Sequence, residues 1–145
     1  MMDRNEAVLL ALSAAGARDF SPAQIQKLCF LYDRRLTDEL GGPHFDFQPY
    51  HYGPFDKNVY VAIAELESEG LATEARFGPA GWDRRYAATV AGIARGRELL
   101  ASLPAGEDLA AALAKWVLQQ SFASLVAAIY NEYPEMKANS IFSDR

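Results

Sequence analysis

The chain has 145 residues, 50% hydrophobic and 23% charged, which suits one globular core and excludes both extensive disorder and a pair of large domains. Its single cysteine, Cys29, excludes an internal disulfide framework and a cysteine-cluster zinc site, and it fits a reducing cytoplasm. A net charge of −5 repels nucleic acid at long range, and neither a secretory leader nor a run of ~18 apolar residues points to export or a membrane, so a cytoplasmic protein is expected.

Val8, Leu9 and Leu12 lie at helical spacing between Asn5 and Ala15, with Gly16 as terminator. Ser21-Pro22-Ala23-Gln24 forms a capping box with proline at the first helical position. It predicts a second helix with Ile25, Leu28, Cys29, Tyr32 and Leu36 on one face, ending near Leu40 before Gly41-Gly42-Pro43. From Phe45 to Tyr52 the aromatic residues first alternate and then cluster, which predicts an edge strand or ordered loop, with Gly53-Pro54 as a turn. Asp56 is the expected cap of a third helix, whose stripe is Val59, Tyr60, Ile63 and Leu66 and whose end is Gly70.

Leu71 to Phe77 and Trp82 to Ala88 read as two strands of a ribbon joined by Gly78-Pro79-Ala80-Gly81. Thr89 caps a fourth helix carrying Ile93, Leu99 and Leu100, with Arg95 and Arg97 in solvent and Pro104 at its end. Glu107 to Tyr133 supplies one or two more helices. The fold class expected is mainly α with a small β-ribbon: a winged-helix-like core over residues 1–104, and a C-terminal helical extension over 105–145 packed on the same core. The extension is also the expected seam of a homodimer.

Cys29, His44 and His51 are the residues that could suggest a thiol nucleophile with a histidine base, or a metal site. Cys29 falls on the apolar face of the second helix, where a thiol is inert, and two histidines seven positions apart make no ligand set. No phosphate-cradling glycine loop, nucleophile elbow or paired-carboxylate signature is present. A non-enzyme without cofactor or metal is the expectation.

For DNA, the third helix is the element that would face base edges, yet residues 56–69 hold Asp56, Glu65, Glu67 and Glu69 against Lys57 alone. Asn58 could read a base, while Arg76, Arg84 and Arg85 on the ribbon could grip the backbone or enter a minor groove. For a protein partner, Phe45, Phe47, Tyr50, Tyr52 and Phe55 form an aromatic density of the kind interfaces use as anchors, with packing between helices as the bland alternative. Ile141 and Phe142, close to the chain end, are expected to dock on their own core or on a neighbouring subunit.

Residues Ile25 to Tyr32, with Lys27-Leu28-Cys29-Phe30 at their centre, and Tyr50-His51-Tyr52-Gly53-Pro54-Phe55-Asp56 through Tyr60 resemble the Panacea family of prokaryotic, often phage-associated proteins. The likeness covers roughly residues 5–75. It implies an antitoxin or proteolytic-adaptor role, in which the domain neutralises a partner protein, a toxin or a regulated protein, by binding it. Arg85-Tyr86, Thr89 and Gly92 separately look like the ribbon-to-helix junction of winged-helix regulators, so a DNA-binding transcription regulator is the alternative.

Overall fold

Asp3 and Ser21 open the first two helices by the same device. Each side-chain oxygen accepts from the amide three residues on, while Glu6 or Gln24 reaches back to the cap's own amide. In the computed structural model, which describes residues 1–143, these helices run Arg4–Ser13 (α1) and Pro22–Arg35 (α2). The chain is mainly helical with two small antiparallel two-stranded sheets.

α2 is the central pillar. Besides the expected stripe, Phe30 and Leu31 are buried, and so are the polar Gln26 and Lys27. It stops at Arg35, earlier than Leu40, because Leu36 leaves helical geometry (φ −131°, ψ 24°) and a turn then buries both Leu36 and Leu40.

The aromatic segment forms a hairpin of Gln48–Tyr50 (β1) and Gly53–Phe55 (β2), in which Tyr50 faces Gly53 and Gln48 faces Phe55. The turn therefore lies at His51 and Tyr52, and Gly53-Pro54, expected as a turn, is a strand. Gly53 leaves the turn at φ +106°, a conformation that side chains disfavour, which is why glycine serves here although the position is extended.

Asn58–Ser68 is α3. Asp56 does cap it, but from two residues before the first helical turn: its Oδ1 accepts from the Asn58 amide at 2.8 Å, while Lys57 occupies the cap position without a side-chain bond.

The ribbon consists of Ala72–Phe77 (β3) and Asp83–Ala88 (β4), joined by a 3₁₀ turn at Pro79–Gly81, with Ala72 opposite Ala88 and Arg76 opposite Arg84. A third rung comes from the link between α1 and α2, where Phe20 and Tyr86 exchange backbone hydrogen bonds of 2.8 and 2.9 Å.

Thr89 caps Val90–Ala101 (α4) through the Gly92 amide and also donates to the Gly70 carbonyl. Two glycines let α4 approach its neighbours. A Cβ on Gly92 would overlap the Leu71 carbonyl, and one on Gly96 would overlap the Ser13 hydroxyl of α1.

Glu107–Gln119 (α5) and Phe122–Glu132 (α6) pack on α2, and the Tyr32 hydroxyl donates to the Ala110 carbonyl at 2.7 Å. Leu113, Val117, Leu125 and Ile129 join the same buried cluster as Leu12 and Leu28. A 3₁₀ turn at Pro134–Lys137 buries Met136. The end of the chain then docks on its own molecule: Asn139 Nδ2 donates to the Pro49 carbonyl, Ile141 N to the His51 carbonyl, and Phe142 packs against Phe122 and Tyr130. Among the described residues no helix is long and apolar enough to cross a membrane.

Candidate functional site

The β1–β2 hairpin and its approach are anchored to α2 by two polar side chains, the buried Gln26 and the half-buried Asp33. Gln26 pairs with the Asp56 backbone in both directions, Nε2 donating to the carbonyl at 2.9 Å and Oε1 accepting from the amide at 3.1 Å. The Asp56 carboxylate in turn accepts from the amides of Asp46 and Asn58. One helix turn along from Phe30, Asp33 accepts from the amides of His44 and Phe45, and burial raises its carboxyl above the usual range although both bonds favour the charged form. The tail closes the far side through Pro49 and His51.

The five aromatic residues do not share one surface. Phe45 and Phe47 are half-buried against each other, and Phe47 meets Phe30 edge-on at 5.5 Å, a contact continued by Tyr133 on the other side of Phe30. Tyr50 stacks on His51 at 4.4 Å and leans on Phe55, from which the rings continue to Tyr60 and Tyr86. Tyr52 turns the other way, edge-on to Phe122 at 5.2 Å. Exposure separates them further, for Tyr50 and Tyr52 are 52% and 43% exposed while Phe45, Phe47 and Phe55 are half-buried.

The ribbon arginines also divide. Register places Arg76 and Arg84 on the face of Glu74 and Tyr86, and both reach Glu74 Oε1, at 3.5 and 3.7 Å. Arg85 lies on the opposite face, paired with Asp83 at 3.1 Å and bordering the groove between the start of α2 and Phe122 of α6. Lys57 and Asn58 stand exposed at the start of α3. The acidic residues of that helix have internal work: Glu65 accepts from Asn5 and Arg4 of α1, which hold its carboxyl below the ordinary range, and Glu67 accepts from the Glu74 amide.

Cys29 is buried, and its thiol is pushed far up first by burial and then by Asp33. Both effects disfavour the thiolate that nucleophilic chemistry needs. Among the described residues no group of three or more His, Cys, Asp and Glu side chains could hold a metal ion.

No protein-family model matches the chain, and no curated protein matches it.

Sequence reasoning missed the buried polar residues Gln26 and Lys27 of α2 and the half-buried Asp33 that ties down the approach to the hairpin. The available signal was Phe30 and Leu31, which lie outside the apolar stripe and widen the apolar surface of the middle of the helix, where Ile25 to Tyr32 are all buried. It also passed over Trp82, 84% exposed, and Phe77, two aromatic residues in solvent at the ribbon tip.

Proposed function

We propose that the chain is a non-enzymatic prokaryotic regulatory module that acts by binding a partner protein, in the manner of the Panacea antitoxins or adaptors it resembles. The observation that carries this reading is the presentation of Tyr50 and Tyr52 in solvent, at the edge of and within the turn of a hairpin that Gln26, Asp33, Asp56 and the tail hold in place. Exposed tyrosines on a fixed backbone are efficient anchors, because ring burial is gained while little side-chain freedom is lost. Phe45, Phe47 and Phe55 act beneath them as the half-buried support of the hairpin. A winged-helix core is the architecture that the order α1, Phe20 rung, α2, α3 and ribbon supports, with α5 and α6 as its extension.

The test is co-expression with the product of the adjacent reading frame in a growth assay. Wild type restores growth if that product is a toxin and this chain its antitoxin. The double variant Tyr50→Ala and Tyr52→Ala loses the rescue while keeping its fold, and Arg84→Ala with Arg85→Ala retains it. Rescue indifferent to the tyrosines overturns the assignment of the surface.

DNA binding is the second reading, favoured by one observation: Arg76 and Arg84 share a ribbon face with Tyr86, which stacks on Tyr60 of α3, so the cationic and aromatic groups converge beside the helix that begins with Lys57 and Asn58. Fluorescence anisotropy on duplex DNA across salt concentrations separates the readings, since phosphate contacts weaken steeply as salt rises.

A further inference from the structure

The residues from Phe77 to Trp82 carry no charge, and they form the tip of the ribbon. Two of them are large rings held in solvent: Phe77 is 52% exposed and Trp82 84%. Tryptophan is highly buried on average, and adjoining exposed apolar groups mark a contact surface. Gly78, Pro79 and Ala80 between the rings are exposed as well, so the tip is one apolar projection. It extends past the ribbon's tie to the body, the Phe20–Tyr86 rung. Its backbone asks little of water, because Pro79 has no amide and the amides of Gly81 and Trp82 donate within the turn, to the Gly78 and Pro79 carbonyls at 3.2 and 3.3 Å.

Charge begins directly behind the tip. Register sets Arg76 and Arg84 one rung back from Phe77, and Arg85 two rungs back on the opposite face, about 3.4 and 7 Å along the ribbon. Arg76 and Arg84 share one carboxylate oxygen, Glu74 Oε1, at 3.5 and 3.7 Å, and Arg85 neutralises Asp83 at 3.1 Å. Three guanidiniums thus meet two carboxylates, which leaves the ribbon one cation in excess although the whole chain stands at −5.

We propose that the ribbon tip docks on the surface of a lipid bilayer, with Phe77 and Trp82 in the interfacial layer and Arg76, Arg84 and Arg85 at the level of the lipid phosphates. The order along the ribbon, apolar and then cationic, repeats the order from acyl boundary to phosphate, and tryptophan is a ring that this layer favours. Arginine stems lie along apolar surface while their guanidiniums stay with phosphate oxygens. A protein partner rewards an anchor on a fixed backbone, as at Tyr50 and Tyr52. A bilayer asks only that rings and charges sit at the right depth, which suits a ribbon that leaves the body. Single-stranded nucleic acid fits less well, since its grip grows with each phosphate neutralised and the ribbon has one cation to spare. The contact is peripheral, reversible and confined to one leaflet. It stands independently of the partner surface formed by Tyr50 and Tyr52.

The experiment titrates the full chain with phosphatidylcholine vesicles, plain or brominated along the acyl chains, and reads tryptophan fluorescence and co-sedimentation. The chain has two tryptophans, Trp82 and the half-buried Trp116 of α5. A saturable blue shift with plain vesicles and quenching by the brominated lipid are expected. Trp82→Ala, at an exposed site and folded by circular dichroism, abolishes the quenching and lowers partitioning by about tenfold or more, as expected for losing a ring that leaves water, and Phe77→Ala lowers it less. Tyr50→Ala with Tyr52→Ala leaves partitioning unchanged, which separates this surface from the partner site. A second titration uses a short oligothymidylate without lipid. Vesicle binding absent across the titration, partitioning that survives Trp82→Ala or falls with the two tyrosines instead, or fluorescence quenched by oligothymidylate and not by brominated lipid overturns the proposal, the last in favour of nucleic acid.

Discussion

Replacing Lys27 with methionine keeps an unbranched, flexible side chain one heavy atom shorter and removes its charge. In the native protein burial lowers the Lys27 ammonium from the ordinary 10.5 to about 8, whereas the unfolded chain holds the ordinary value. Below about pH 8 both states are protonated and the native state carries the full desolvation cost. At about 1.4 kcal/mol for each tenfold, this amounts to roughly 3 kcal/mol. Between about pH 8 and 10.5 the unfolded state binds more protons than the native state, so stability rises with pH through that window. From pH 7 to 9.5 the increase works out at about 2 kcal/mol, a shift of roughly 1 M in the urea midpoint. Tyr32, Tyr60, Tyr86 and Tyr133, whose hydroxyls burial raises, act in the opposite direction at higher pH, where only the unfolded state ionises them. The assay is therefore urea unfolding of wild type and Lys27→Met side by side at both pH values, because the tyrosine contribution cancels in the difference. Lys27→Met should be the more stable protein at pH 7, with its lead shrinking by about 2 kcal/mol at pH 9.5. A lead that does not change with pH, or a variant less stable at pH 7, refutes the claim that burial of the Lys27 ammonium costs the fold stability.

Gly96→Ala should lower the melting temperature by several degrees, the cost of about 1–3 kcal/mol for overpacking against Ser13 exceeding the gain in helix propensity. A rise in the thermal melt would show that α4 does not approach α1 as closely as described. Asp33→Ala should free the His44 and Phe45 amides, with loss of about 2 kcal/mol or more and faster hydrogen exchange at both positions; unchanged protection there would count against Asp33 as their acceptor. Cys29 should react with Ellman's reagent only as fast as the native protein opens, so a burst of labelling in buffer would contradict its burial.

Local chemistry was legible wherever one residue determines its own neighbourhood. Ser21-Pro22 and Thr89 mark helix starts that hold in the structure, and the ribbon ends within a residue of its expected limits. The hairpin at Gln48–Phe55 was not legible, because Gly53-Pro54 has the composition of a turn while the geometry uses glycine's freedom to enter a strand. Nor was the division of the candidate residues. Tyr50 ends a strand and Tyr52 lies in the turn that follows, and they meet different neighbours, while Arg84 and Arg85 alternate across a strand, so adjacency in sequence separates them in space. Gln26 and Lys27 carry residue types usually found in solvent. Only the packing of the hairpin and α6 over α2 places them inside, and that packing is a long-range property absent from any local window.

The Phe20 rung fixes the ribbon at one level only. Tyr86 is tied to the body of the protein, while among the described residues the strands beyond it, running out to Phe77 and Trp82, pair their backbones only with each other. An isolated two-stranded ribbon is marginal in water, so stiffness falls along its length from an anchored base to a compliant end. A slip in register is forbidden at the root, since moving Tyr86 by one residue would turn its ring out of the core, yet bending is open to the tip. The ribbon is thus a cantilever: whatever touches its outer aromatic residues meets a surface that yields, and whatever touches its base meets the rigid body of the molecule.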